Sequence, residues 1–413
     1  MVNQAYKESE VGKIPSDWSV KQIGKIGYTY SGLTGKGKSD FGKGESRYIT
    51  FLNVLNNPIL RTDIFEKVSV SEGEHQNLAH KGDLFFNTSS ETPEEVGICA
   101  LLNDDVPNLY LNSFCFGYRL TDPEVDGLFL SYFFRSKLGR DIMTMLAQGA
   151  TRYNLSKESF NKTLIAFPPF EEQKRIAEAL SGFDDIIGAL DEAIEKKRQI
   201  KEGLMWNLLT GRARLPGFNE KWIDVRLRDV CMMNSGGTPS TSDPHFYGGD
   251  ILFLSISDMT NSGKYIYSTE KRITEDGYNC SSARMFPAGT LMYAMYASLG
   301  KCSITKVDVA VCQAILGFHS LKNIDTEYLY YYLASIEKSV KQTGQTGTQS
   351  NLSKNIVENF QLAIPSLEEQ QAIASLLRTV DDDIDCCITK REKYNLIKQG
   401  MMQNLLTGKT RLI

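Results

Sequence analysis

At 413 residues the chain has room for two or three domains, and 41% hydrophobic with 23% charged residues is the make-up of a folded protein, which excludes a disordered or fibrous one. A net charge of −4 excludes polyanion binding over the whole surface but leaves room for a local basic face. The polar start Met1–Gly12, the lack of any membrane-length apolar run and eight cysteines without metal spacing lead us to expect a cytoplasmic protein with reduced core thiols and no membrane contact.

The first block, 1–166, opens at Trp18-Ser-Val-Lys-Gln-Ile. Short runs of β-branched and aromatic residues follow, split by Gly, Asn, Asp and Pro. Tyr48–Val54, Asp83–Asn87 and Cys115–Leu120 read as strands of a mainly β domain. Gly32-Leu-Thr-Gly-Lys-Gly-Lys38-Ser39 matches the nucleotide phosphate loop letter for letter. The match is rejected, because the glycine-rich stretch Asp40–Glu45 will not start the helix whose amides hold the phosphates. A better use is a flexible basic loop in which Lys36, Lys38, Lys43 and Arg47 touch a nucleic-acid backbone. An aromatic-rich helix is expected over Leu128–Ser136, its stripe facing the core, and a polar loop at Gln148–Asn154 follows it.

The next segment, 167–212, reads as one long helix. Ile176, Leu180, Phe183, Ile187, Leu190, Ile194, Lys197, Lys201, Leu204 and Leu208 alternate steps of four and three, the seam of a coiled coil. Glu171 and Glu172 favour its first turn and Gly211 marks its end. Roughly 37 residues make a rod of about 55 Å, which cannot bury its stripe alone. Phe167-Pro-Pro-Phe170 shares three letters with the amino-methyltransferase motif Asn-Pro-Pro-Phe, but Phe167 has no oxygen to accept from a base amino group.

The second block, 213–363, repeats the first loosely. Trp222 answers Trp18, Ser235-Gly-Gly-Thr238 answers Ser31-Gly-Leu-Thr34, Phe253-Leu-Ser-Ile256 answers Phe51-Leu-Asn-Val54, and Gly289 answers Gly82. Strands are expected at Ile251–Ile256, Thr290–Met295 and Ala310–Phe318, an aromatic helix at Glu327–Ile336, and a second polar loop at Gly344–Asn351. The final segment, 364–413, repeats the rod without a gap: Pro365–Gln370 matches Pro168–Gln173 and Asn404–Gly408 matches Asn207–Gly211, both offset by 197 (370 − 173, 408 − 211). The expected fold is therefore α+β: two mainly β domains separated by two long helices, packed as an antiparallel coiled coil about an internal pseudo-two-fold axis.

No active site stands out. His75, His80, His245 and His319 have neither ligand spacing nor a paired nucleophile, and no Gly-rich cofactor turn is present. What remains is a binding protein whose information lies in polar loops, because Gln and Asn suit adenine and Arg suits guanine. Gln148, Thr151, Arg152, Tyr153 and Asn154 form one cluster, and Gln345, Thr348, Gln349, Ser350 and Asn351 the other. Asn87, Thr88, Thr238, Ser240, Ser255, Ser257, Tyr293, Lys301 and Gln313, on the shared framework segments, complete the DNA-contacting set.

The layout resembles the specificity subunit of type I restriction-modification systems over the whole chain. The resemblance rests on the two Pro-x-x-Glu-Glu-Gln starts, the Asn-Leu-Leu-Thr-Gly ends, the Trp18 and Trp222 openings and the run Ser235–Ser240. It implies two target-recognition domains, each reading one half of a split, asymmetric DNA site, with the rods setting the gap. It further implies docking of two methyltransferase subunits and restriction subunits, which would bring S-adenosylmethionine, ATP and magnesium; this chain itself would bind none of these. Leu204, Trp206, Leu208, Met401 and Leu405 are the residues expected to meet partner helices. An autonomous methyltransferase or nucleotide hydrolase, and a pure protein scaffold, are the competing readings.

Overall fold

Two long helices, Phe170–Leu209 and Leu367–Leu405, form where the four-three stripes predict them. The computed structural model describes residues 5–344 and 351–413. Each rod starts directly after a short strand, Leu164–Phe167 or Gln361–Ile364, that proline terminates. Past each far end, Gly211 and Gly408 take left-handed φ values of 69° and 70°.

The chain folds into two compact units that ignore chain order. One joins Met1–Asp191 to Thr389–Ile413, and the other is Glu192–Ile388. Each unit therefore owns part of both rods. In the first, Asp184 pairs with Lys398, Asp191 lies 3.0 Å from Arg391, and Phe183 packs on Tyr394. Numbers rise on one helix as they fall on the other, so the packing is antiparallel. In the second unit Lys197–Asp383 (2.8 Å) and Lys201–Asp381 (2.5 Å) run the same way. Asp184 and Asp381, like Lys201 and Lys398, are 197 apart, so the same pair is made once in each unit. Ile176, Leu180, Ile194, Ile373, Leu377 and Ile384 of the stripes are buried, and the ion pairs run along the same stretches of rod.

Within the first unit, an antiparallel sheet runs Gly27–Ser31, Cys115–Leu120, Leu84–Asn87, Cys99–Leu101. A second sheet runs Leu109–Leu111, Phe41–Ile49, Glu66–Val68. The core is aromatic: Phe86 stacks on Phe116 at 5.3 Å and meets Phe134 and Phe160 edgewise or tilted. The aromatic helix Gly127–Arg135, capped by Asp126, buries Phe129, Tyr132, Phe133 and Phe134, so its stripe is core. The second unit has a five-stranded sheet, Met232–Ser235, Ile315–His319, Leu291–Ala294, Cys302–Thr305, Tyr265–Ile266. Beside it lies a four-stranded one, Lys271–Ile273, Tyr247–Leu254, Val309–Val311, Arg284–Phe286.

Three strand expectations need correction. The strands stop at Ile49 and Leu254, and short helices Phe51–Asn56 and Ile256–Ser262 follow. Thr50 and Ser255 decide this: each side-chain oxygen accepts from the amide three residues on, Asn53 or Asp258, and caps a helix. Thr50 therefore corresponds to Ser255, and the match of Phe51 to Phe253 slips by three residues. Ala310–Phe318 likewise breaks into two strands at Cys312–Ala314.

The repeated motifs at the rod starts have a physical meaning. Gln173 Nε2 donates to the carbonyls of Pro168 (2.9 Å) and Glu124 (3.0 Å), while its Oε1 accepts from Asp126 N (2.9 Å). Gln370 repeats all three bonds with Pro365, Asn323 and Asp325. Each glutamine thus ties a rod to the cap of an aromatic helix. Beside it, Glu172 is 3% exposed and receives two hydrogen bonds of 2.7 Å from Arg411, which also grips Asp17. Glu369, fully buried, receives two of 2.6 Å from Arg214. Each guanidinium also faces the ring of Trp18 or Trp222, the residues that open the blocks.

Removing either arginine strands a buried carboxylate. Arg411→Ala is expected to cost the first unit about 3 kcal/mol, and Arg214→Ala to destabilise the second. Hydrogen exchange resolved by peptide would check this: faster exchange confined to the unit that holds the variant is the expected result.

Candidate nucleic-acid interface

In the first unit the basic loop is held by side chains from a distant stretch of the chain. Gly32 packs so tightly that a Cβ would lie 1.9 Å from the Asn112 carbonyl oxygen; Gly236 meets Val311 at the same distance. Gln76 clamps Thr34 from both sides, accepting from its amide (3.1 Å) and donating to its carbonyl (2.8 Å). Lys36 turns in to Glu74 at 2.5 Å and is only 7% exposed at its side chain. That hydrogen bond holds the Glu74 carboxyl down to about 2. Lys36 is therefore a strut of the loop. Lys38, Lys43 and Arg47 are exposed and have no ion partner among the described residues. The loop ends in a single 3-10 turn, Lys38–Asp40, and then enters the strand Phe41–Ile49, so the α-helix that a phosphate loop requires does not follow it.

The polar loop after the aromatic helix folds back as a small sheet. Ala147–Gln148 pairs with Tyr153–Leu155, which pairs with Ser89–Ser90; Gln148 faces Asn154, and Tyr153 faces Ser90. Thr151 and Arg152 are exposed on the connecting turn. Thr88 joins this patch to the rest: its amide donates to the Phe114 carbonyl (2.9 Å), and its own carbonyl accepts from Leu155 N (2.9 Å). The structure thus brings Thr88, Gln148, Tyr153 and Asn154 together. Asn87 drops out as a surface reader. It is fully buried, accepts from Ile98 N at 2.6 Å and donates to the Glu95 carbonyl at 2.8 Å.

Two apolar residues on this face were not anticipated. Leu52 is 63% exposed and Phe114 is 59% exposed, and both line a hollow of about 480 Å³ with Phe41, Tyr48 and Phe51. Leu52 sits on the short helix capped by Thr50. That helix is gripped from behind by Arg135, which donates to the carbonyls of Val54, Leu55 and Asn57. Burial pulls the Arg135 guanidinium down to about 10. Outward-facing apolar residues leave no mark in a linear pattern, because alternation places Leu and Phe inside by default.

In the second unit Thr238 Oγ1 donates to Gln313 Oε1 at 2.8 Å, and both residues are exposed. Ser240 bonds Ser242 at 2.7 Å. Ser257 is exposed, whereas Ser255 is committed to its cap and to Asp258 Oδ2. Lys301 is half-buried, with its backbone in a turn onto Ala294. Tyr293 is fully buried and also drops out as a reader. Asn351 is exposed, next to Leu352, whose amide donates to Met295. Gln345, Thr348, Gln349 and Ser350 lie outside the described residues.

The expected partner-facing residues divide as well. Leu208 and Leu405 are 4% and 3% exposed and belong to the cores of their units, so they offer no surface. Leu204 and Met401 pack against the same cores from the side. Trp206 is 56% exposed under the Arg212 guanidinium. Among the described residues there is no group of three or more His, Cys, Asp or Glu that could hold a metal ion, and no helix long and apolar enough to cross a membrane.

The family model for the type I restriction modification DNA specificity domain matches this chain twice, at residues 15–201 and 219–399. The putative type I restriction enzyme MjaX specificity subunit of Methanocaldococcus jannaschii is 25% identical over 98% of this chain and 97% of its own length. The MjaVIII specificity subunit of the same organism is 25% identical over 98% and 96%. Among solved structures, the type I S subunit from M. genitalium superposes with a TM-score of 0.59 at 16% identity, covering 94% of this chain and 96% of that one. A chain from a study of complex assembly in a type I restriction-modification system gives 0.61, also at 16%, over 96% and 99%. At these identities the solved structures support the fold.

Burial separates framework from surface in a way that stability measurements can check. Asn87→Ala removes a donor and an acceptor from buried backbone groups and is expected to cost about 2 kcal/mol. Asn154→Ala, on the exposed patch, is expected to stay within about 0.5 kcal/mol. Denaturant unfolding of the two variants beside the parent protein reads both.

Proposed function

This chain belongs to the type I restriction-modification DNA specificity family, and from that premise we propose that its two units read the two halves of a split DNA site. The observation that supports this best is the pairing of a common framework with unlike surfaces. Both units repeat the Arg–Glu clasp, the glutamine tie and the Thr or Ser cap. On that frame one presents Lys38, Lys43, Arg47 and the Gln148–Asn154 hairpin, and the other Thr238, Gln313 and Asn351. Equivalent frames with different loops read different words, so the site is asymmetric.

The exposed cations anchor the phosphate backbone and carry no sequence information; the amide and hydroxyl side chains read base edges. The rods set the gap between half-sites, and two methyltransferase subunits dock on the chain with Trp206 within reach of one. Restriction subunits complete the assembly. S-adenosylmethionine, ATP and magnesium belong to those partners, and this chain performs no chemical step itself. Half-sites of a two-fold protein on duplex DNA lie roughly one helical turn, about 34 Å, apart.

Footprinting of the complex reconstituted with its methyltransferase tests the proposal: protection of two unlike words at a fixed gap is expected, and turnover of S-adenosylmethionine or ATP by the purified chain alone would reject it. Replacing Lys38, Lys43 and Arg47 by alanine should lower the slope of log K against log salt by about 2.7, from about 0.9 per phosphate contact. The preferred words should stay unchanged. A helical turn inserted next to Ala189 should alter the gap and leave both words intact.

A further inference from the structure

The two units carry different chemistry at matching backbone positions. In the first, the amide of Thr88 donates to the Phe114 carbonyl at 2.9 Å; in the second, the amide of Met295 donates to the Ala314 carbonyl at 2.9 Å. Leu155 N donates to the Thr88 carbonyl at 2.9 Å, and Leu352 N to the Met295 carbonyl at 3.0 Å. Phe114 therefore stands where the second unit has Ala314. Counting two residues on from the caps Thr50 and Ser255, Leu52 stands where it has Ser257. One frame thus holds an exposed apolar pair, and the other holds a small and a hydroxyl residue beside the Thr238–Gln313 hydrogen bond.

Leu52 and Phe114 are 63% and 59% exposed and both line the hollow; Lys36 and Glu66 line it too, taken up by Glu74 and Tyr48, and the exposed cations Lys38, Lys43 and Arg47 lie along the chain segment that carries the lining residues Phe41 and Tyr48. Exposed positive charge on the same chain segment suits a polyanion. Carbon surface offers no donor or acceptor to a base edge. In the major groove the one feature it can distinguish is the 5-methyl group of thymine. Resting on the reading proposed above, we infer that Leu52 and Phe114 select thymine in the half-site bound by the first unit, through apolar contact with its 5-methyl group. Arg135, which fixes the helix bearing Leu52, is a positioning residue for that contact.

Deoxyuridine differs from thymidine only by that methyl, so it isolates the contact. With the full complex and the half-sites mapped from methylated host DNA, each thymine is replaced singly by deoxyuridine. At least one replacement in the first half should weaken binding about fourfold, the worth of one buried methyl-sized group. In the variant L52S/F114A, which installs the second unit's own residues, thymine and deoxyuridine should bind alike there. Responses in the second half should be unchanged. The inference is overturned by a first half-site without an A·T pair. Silent replacements throughout, or a penalty that survives in the variant as a wedge between base steps would give, overturn it equally. Loss of sequence-specific binding by the parent complex would instead overturn the half-site reading itself.

Discussion

Two buried carboxylates organise this chain. Glu172 and Glu369 each sit at the start of a rod with almost no exposure, and each is matched by a two-pronged arginine from the segment that follows the other rod's far end. An unpaired charge in such a place is strongly unfavourable, so the arginine segment has to return to that site. For the first unit that segment is the chain's own last residues, Arg411 and Leu412, whose amide also donates to Glu172. The rod starts, the tryptophan openings and the glycine ends are parts of one repeated joint.

That joint frees the surface to vary. The glutamine ties hold Asp126 and Asp325, which cap the aromatic helices, and those helices fill the cores behind the sheets. Tyr132 and Tyr331 then reach back to Asp184 and Asp381 on the rods at 2.6 Å each. With the frame fixed from behind, residues facing outward contribute little to stability and are free to differ between units. At these equivalent positions one unit has apolar Leu52 and Phe114, and the other has Ser257 and Ala314. Reading surfaces of unlike chemistry on like frames are what an asymmetric site requires.

Several side chains of the sort that touch bases were instead consumed by the frame. Asn87 completes a buried turn, Lys36 braces a loop against Glu74, Ser255 caps a helix, and Tyr293 lies in a core. Residue type marks what a side chain is able to do. Its neighbours decide whether those hydrogen-bonding groups remain free.

The sequence by itself determined the rods, because a four-three stripe bounded by proline and glycine leaves a long helix little alternative, and the offset of 197 made the repeat plain. It also determined that the aromatic stripes are core and that no α-helix starts after the basic glycine loop. Only the tertiary structure decided that the last segment completes the first unit, that Thr50 and Ser255 end strands, and that Leu52 and Phe114 face solvent. The physical reason is separation along the chain. Periodicity reports contacts within a few residues, whereas the Arg411–Glu172 joint and the hollow beside Phe114 are made by residues tens to hundreds of positions apart.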